Sequence, residues 1–495
     1  MILSLLFIAC AFVSCATTPG DDTATDSKNT QNDTDTDSVT DTTDTTDAEE
    51  SKGPSREDKA FEFLAKLPQV NYNRTMNFLV MSGFNGSLKE IFVEEASSEP
   101  IDNAVFLRNA AMYDNYGVTV TATESTDIFA AVDTDIKANA KSYDVILGNA
   151  YTTAALAQSG YLCNFLDLKD NMNLNEEWWD PGTLRDCEIG GKVFFMNGDI
   201  NYVDNHCTWI IMFNKKMMAD LDLEEPYQLV RDGKWTLDVM YEYAKQAARD
   251  NGDGVYDERD TYGFLTTNYG GLMNFLYMSD IKTIDNVGGE LRVVMGDYQE
   301  KISDLLTYCN KLLHEEHISW ISVDDYMQTA NMFMNNQGLF YSEVLSYVSD
   351  LSEMNNPYGV LPPPKYNESQ KEYRTHVDAA AGMIGISSNT DDPEDVAYIL
   401  EGMAIYSYLY VTPAYYDVTL KRKKSRDAES SEMIDIILRT RVYDIGYIHN
   451  LGLLPSAAFK DLVFKGDTNF ASAYKSRAKI AERELKSLLK KYSRL

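Results

Sequence analysis

From residue 76 onward, short apolar runs alternate with stretches of helical spacing. Met76-Asn77-Phe78-Leu79-Val80-Met81 is mostly apolar, ends in Ser82-Gly83 and reads as a buried strand. Residues 104–113 have helical spacing, 117–123 alternate as a strand does, and 128–140 form an amphipathic helix pattern. A second apolar strand is predicted at 143–147 and a helix at 152–159. Farther on, 192–196 and 208–213 read as strands, while 236–249, 298–314 and 323–335 read as helices. Strands are expected again at 338–342 and 358–361, and long helices at 393–408, 429–442 and 471–491. Strands that keep alternating with helices point to an α/β architecture with mostly parallel sheets. In such sheets ligands gather outside the carboxyl ends of the strands. Glycines such as Gly83 and Gly148 at strand ends let backbone come close to a ligand.

The pattern before residue 60 is different. Residues 2–13 are an apolar run of about a dozen, too short to span a bilayer, which takes roughly 20, but suited to a secretory signal. Phe12-Val13-Ser14-Cys15 resembles the end of a bacterial lipoprotein signal, with Cys15 as the lipidated residue and Ile8-Ala9-Cys10 as the alternative. No Lys or Arg precedes the run, so the true start is expected a few codons upstream. The segment 16–59 is rich in Thr, Asp and Ser. Between Asp21 and Glu50 it holds eleven acidic residues against Lys28 alone. It cannot bury enough apolar surface to offset chain entropy, so it reads as a disordered, self-repelling tether.

Length and charge narrow the possibilities. A chain of 495 residues is long enough for two cored lobes. A net charge of -33 excludes nucleic acid as a partner, because phosphate binding needs clustered Lys and Arg. The 32 tyrosines offer rings and hydroxyls suited to polar solutes with apolar faces. Outside the signal there are four cysteines: Cys163, Cys187, Cys207 and Cys309. Three pairings are open, with Cys163–Cys187 favoured if a bridge exists. No CxxC, GxSxG, Walker loop or GxGxxG occurs. His314-Glu315-Glu316-His317 lacks HExxH spacing and reads as a solvated helix end. Lys421-Arg422-Lys423-Lys424 reads as an exposed basic loop.

A series of segments carries a recognisable order: Tyr143-Asp144-Val145-Ile146-Leu147 with Ala157-Gln158-Ser159-Gly160-Tyr161-Leu162, then Gly190-Gly191-Lys192-Val193-Phe194-Phe195, then Phe213-Asn214-Lys215-Lys216. Gly233-Lys234-Trp235-Thr236 and Gly359-Val360-Leu361-Pro362-Pro363-Pro364 continue it. In these segments, from Met76 to Tyr492, the sequence resembles family 1 extracellular solute-binding proteins, the maltose-binder-like capture components of ABC importers. Thr412-Pro413-Ala414-Tyr415-Tyr416 is similar to a subset from anaerobic Gram-positive bacteria. The resemblance implies an α/β, periplasmic-binding-protein-like (type II) fold of two lobes, a hinge and an interlobe cleft. Crossings are implied near 198–202, 353–358 and 406–413. The first lobe is then 60–198 plus 357–410, and the second 199–356 plus 411–495. It implies a monomeric, lipid-anchored extracellular protein without enzymatic activity that delivers a small ligand, a sugar first of all, to an ABC transporter permease.

On this reading the ligand-binding candidates lie at strand ends and crossings: Phe84, Asn85, Asn149, Tyr151, Asp199, Asn201, Tyr202, Tyr341, Glu343, Tyr415 and Tyr416. Carboxylates, amides and tyrosine rings together suit hydroxyl-rich solutes. Trp178 and Trp179 are a second stacking option, although a tryptophan pair before Asp180-Pro181 reads first as packing against a turn. No cofactor is expected, and residues 251–260 leave two readings open, a weak calcium site and a structural turn without metal. In 251–260, Asn251, Asp253, Asp257 and Asp260 have loop-ligand spacing around Gly254, but Arg249 stands at the first ligand position. The competing readings are a secreted carbohydrate-active hydrolase, which needs two carboxylates across a cleft, and a surface interaction protein.

Overall fold

A computed structural model describes residues 55–83, 88–315, 317–323, 325–422 and 428–495. The expected signal, Cys15 and nearly all of the tether lie outside these residues. The end of the tether is corrected: Ser55 caps a helix, Arg56–Leu64, through a reciprocal capping box with Asp58.

Two sheets organise the body. The first has the order Gly382–Ile386, Val145–Asn149, Arg74–Met81, Val118–Ser125. Its last three strands are parallel, with Phe78 opposite Val145 and Leu79 opposite Thr123, and Gly382–Ile386 runs antiparallel at the edge. The second sheet has the order Tyr358–Leu361, Trp209–Asn214, Gly338–Val344, Tyr262–Thr267, Ser319–Ser322. Its last three strands are mutually parallel. Every residue of Trp209–Asn214, Tyr262–Thr267 and Gly338–Val344 is buried. Helices cover both faces, which is why these strands read as continuous runs. One cover is very close: a Cβ on Gly263 would lie 2.0 Å from the Ala244 carbonyl of helix Leu237–Ala247.

Several expectations need correction. Residues 192–196 form no strand; Met196 makes one isolated bridge to Ile384, and the run is buried coil. The strand Tyr262–Thr267 went unpredicted. Strand Tyr358–Leu361 pairs with Trp209–Asn214, so the chain stays with the second sheet there. The return crossing falls near 377–382 instead of 353–358, where Val377 bridges Thr208 and Gly382 enters the first sheet. Residues 406–413 lie within consecutive helical segments running from Pro393 to Arg422, whose last part packs on helix Pro100–Tyr116 beside the first sheet. The chain meets the second sheet again with helix Ala428–Arg439. All four cysteines are free. Cys187 lies in one apolar cluster and Cys163 packs against another, so the favoured bridge is absent.

The tryptophan pair is structural. Trp178 and Trp179 are buried, and their ring N–H groups donate to Glu401 at 3.0 and 2.8 Å, with Asn173 adding a third donor at 2.9 Å. A buried ionic knot ties the crossings. Arg441 reaches Asp180 at 2.7 Å and Asp204 at 2.9 Å, and the Tyr443 hydroxyl donates to Asp180 at 2.6 Å.

Candidate functional site

The carboxyl ends of the parallel strands of the second sheet open onto a groove. Thr267 ends its strand, and Tyr269 follows. Glu343 and Val344 end theirs, and Tyr347 follows. Trp209 begins the antiparallel strand at the same end, opposite Val344. Asp378 and Ala380 arrive from the returning crossing and complete a cavity of about 360 Å³. Gly270 is required at this wall, since a Cβ there would stand 2.2 Å from the Trp209 indole.

A second cavity of about 620 Å³ adjoins it and shares Tyr269. Tyr151 and Gln158 enter it from helix Ala150–Gln158, which follows a first-sheet strand, and Tyr447 and His449 line the other side. The Tyr151 and Tyr447 rings meet edge-on, with centroids 5.6 Å apart. The Gln158 amide lies 3.0 Å from His449 Nδ1, and burial, with the Lys491 charge nearby, pushes the imidazole down to about 3. The groove therefore takes side chains from the second sheet and from a helix that follows a strand of the first.

Its electrostatics are those of buried acids. Burial pushes the Glu343 carboxyl up to about 8, with the Asp378 charge adding to the rise. One oxygen accepts from the Val344 N–H at 3.0 Å; the other, Oε2, is buried without a partner. Asp378 is also raised by burial, against the Ala380 N–H at 2.9 Å and the Tyr447 hydroxyl at 3.2 Å. No Lys or Arg stands among the described residues lining either cavity. Such walls can stack apolar ring faces and exchange hydrogen bonds with hydroxyls, and the two lysines that approach them are turned to the walls themselves, Lys491 donating to Gln158 at 2.9 Å and Lys460 lying 5.6 Å from the centre of the Tyr269 ring.

The structure divides the sequence candidates. Tyr151 and Glu343 line the groove. Asp199, Tyr202, Tyr415 and Tyr416 gather elsewhere, in a separate cavity behind the crossings. Asn149 caps its helix by accepting from the Thr152 N–H at 2.9 Å. Asn201 is buried and holds the crossing, donating to the Gly382 carbonyl at 3.0 Å and accepting from the Gly198 N–H at 3.2 Å. Tyr341 does not reach the groove. It is fully buried with its ring against Phe333, because helix Tyr326–Met334 covers the middle of its strand. Phe84 and Asn85 lie outside the described residues.

The calcium-loop candidates are engaged with the loop itself. Asp260 accepts from the Asn251 and Asp257 N–H groups, at 2.9 and 3.0 Å. Asp253 and Asp257 pair with Arg259 at 3.0 and 2.6 Å, and Asn251 accepts from the Asp253 N–H at 3.0 Å. Among the described residues no group of three or more His, Cys, Asp or Glu is placed to hold a metal. The sequence reading missed Trp209, Tyr269, Tyr347, Asp378 and Tyr447. The signal for Tyr269 was present, since Thr267-Asn268-Tyr269-Gly270-Gly271 is a strand end running into glycines.

Among solved structures, the chain is similar to UspC from M. tuberculosis (TM-score 0.54, 14 % identity, 83 % of this chain and 100 % of that one). It is also similar to UgpB from Mycobacterium tuberculosis in complex with glycerophosphocholine (0.53, 14 %, 83 % and 99 %). A third likeness is to a cyclo/maltodextrin-binding protein complexed with maltotetraose (0.51, 13 %, 85 % and 96 %). These likenesses establish a shared two-lobe α/β fold. No curated protein matches the chain, and among the described residues no helix is long and apolar enough to cross a membrane. The sequence profile of the bacterial extracellular solute-binding proteins matches residues 86–401. A profile match over more than half of the chain makes this protein a member of the bacterial extracellular solute-binding protein family.

Proposed function

We propose that this protein captures a neutral, hydroxyl-rich solute, an oligosaccharide first of all, in the tyrosine-lined groove and delivers it to an ABC transporter permease. It does so as a monomer held to the outer face of the membrane through Cys15, and without chemistry of its own. The observation that carries the ligand class is a groove with two buried acids, several tyrosines and no lining cation. A phosphate or uronate would have to enter beside Glu343 and Asp378 unpaired, which is costly in a desolvated site. A solute touching Tyr151 on one side and Tyr269 and Glu343 on the other draws the lobes together, because only the closed state offers both sets of contacts.

A panel of neutral oligosaccharides, sugar phosphates and uronic acids, read by thermal shift and calorimetry, tests the reading. Neutral oligosaccharides should stabilise the protein and be recovered intact. Stabilisation by the anionic sugars alone would refute it. Two acids in one groove also favour a hydrolase, and release of shorter sugars in the same samples would move the assignment there. The anchor is tested by lipid labelling of the exported chain, which Cys15→Ala should abolish.

A further inference from the structure

A third cavity, of about 310 Å³, lies where the crossings meet, and it shares no lining residue with the groove. The 3-10 turn Tyr202–Cys207 stands between the two, with Tyr202 and Asn205 on the cavity and Cys207 on the groove. Five aromatic residues line the cavity: Trp179, Tyr202, Tyr408, Tyr415 and Tyr416. They come from different parts of the chain. Trp179 lies before the first crossing, Tyr202 lies on it, and the others lie on the helical run that leads to the last. Their crowding is visible in ring centroid distances of 5.6 Å between Tyr202 and Tyr415 and 6.3 Å between Tyr415 and Tyr416.

The cavity also holds a carboxyl without a counter-charge in contact. Asp199 lines it, and its Oδ2 is buried with no partner. Burial pushes that carboxyl up to about 6 against the pull of the Thr412 hydroxyl and the more distant Arg56 and Arg441 charges. Of the three arginines that line the cavity, two are engaged by the protein itself. Arg441 is held by Asp180 and Asp204. Arg56 donates to the Tyr408 carbonyl at 2.9 Å, and its guanidinium lies 4.3 Å from the centre of the Tyr408 ring. Arg439 is exposed at the rim. The Arg56 contact shows what this wall accepts, a cation against a tyrosine face. Several ring faces, a desolvated carboxylate and a small volume together describe a receptor for a compact organic cation.

We propose that the cavity behind the crossings is a second ligand site that takes a small organic ammonium, with Asp199 as its counter-ion and the tyrosine and tryptophan rings as its cage. Because the walls belong to crossing segments, an occupant fixes their relative positions and so acts on how the groove opens and closes.

The test titrates the protein with choline and with its neutral isostere 3,3-dimethylbutanol, read by calorimetry and by tryptophan fluorescence, since Trp179 forms one wall. Choline should bind and perturb the fluorescence, and the neutral isostere should bind at least tenfold more weakly. Asp199→Asn should weaken choline at least tenfold. Tyr269→Ala, which alters only the groove, should leave choline binding unchanged, so failure here and failure of the groove reading are separable. Should Asp199→Asn not fold, Tyr416→Ala carries the same reading, with a tenfold loss expected. No choline binding, equal binding of the isostere, or full retention by these cavity variants would each overturn the proposal.

Discussion

Replacing Glu343 with glutamine keeps the shape of the side chain and removes its titration, so it isolates the energetic consequence of burying an acid at the groove floor. The carboxyl rises from 4.5 in the unfolded reference to about 8 in the fold, chiefly through burial. Between those pH values the folded protein holds one proton more than the unfolded chain, so stability falls as pH rises through this window and levels off above it. At 1.36 kcal/mol per unit, the 2.5 units separating the reference value from pH 7 amount to roughly 3 kcal/mol. Glu343→Gln should therefore match the parent near pH 5 and exceed it by about that amount at pH 7. A body of this size shifts by at most roughly 2 °C per kcal/mol, so the melting difference should grow from near zero to about 5 °C. Asp378 is present in both proteins, and its charge largely cancels from the difference while Glu343 is still protonated. Melting curves of the unliganded pair, run at intervals from pH 5 to 8.5, give the comparison. If the two profiles run parallel, the Glu343 carboxyl is not desolvated and the electrostatic picture of the groove is wrong.

Three further outcomes follow from the geometry. Tyr269→Ala should leave the unliganded melting temperature close to the parent, since the ring is 44 % exposed and surface changes of this kind stay within about 0.5 kcal/mol, while groove affinity for the best oligosaccharide falls about tenfold through loss of a ring face. Calorimetry that finds no loss removes Tyr269 from the site. Arg441→Ala should destabilise the fold by about 3–5 kcal/mol in urea unfolding, because Asp180 and Asp204 are left buried without their cation; a change below 1 kcal/mol would show that the knot carries little. Millimolar calcium, or its chelation by EDTA, should leave the melting temperature unchanged, since the acids of residues 251–260 are already engaged with backbone N–H groups and Arg259; a calcium-dependent rise would decide for the metal reading.

Much of the fold was legible because strands buried on both faces become apolar runs that no other local structure explains as simply. Residues 76–81, 143–147 and 208–213 are of this kind. Tyr262–Thr267 escaped because its buried positions include Thr266 and Thr267, whose hydroxyls disguise a fully internal strand. The 192–196 run misled for the opposite reason, since burial alone makes a sequence apolar whether or not it pairs. The strand-end rule found Tyr151 and Glu343, yet it also selected Tyr341, which alternates onto the same face as Glu343 two residues earlier. Depth separates them: helix Tyr326–Met334 covers Tyr341, and the strand carries Glu343 past that cover to the groove. Nothing local could have joined Asp180, Asp204 and Arg441, because that knot exists only after three distant segments cross.

The two sites also differ in which solutes their acids select. Glu343, raised to about 8, is mostly protonated at pH 7, and a neutral carboxyl both donates and accepts a hydrogen bond, as a sugar hydroxyl does. A cation entering the groove would first have to draw off that proton, at a cost of roughly 1.4 kcal/mol per unit between ambient pH and the raised value. Asp199, raised only to about 6, is mostly ionised at the same pH and already carries the charge an ammonium needs. Burial raises both carboxyls, but the Thr412 hydroxyl and the Arg56 and Arg441 charges pull Asp199 back, whereas the Asp378 charge adds to the rise of Glu343, and this places one on each side of neutrality. The groove is therefore matched to uncharged hydroxyls and the cavity behind the crossings to cations. Acidification toward pH 5 should leave the first largely intact while weakening the second.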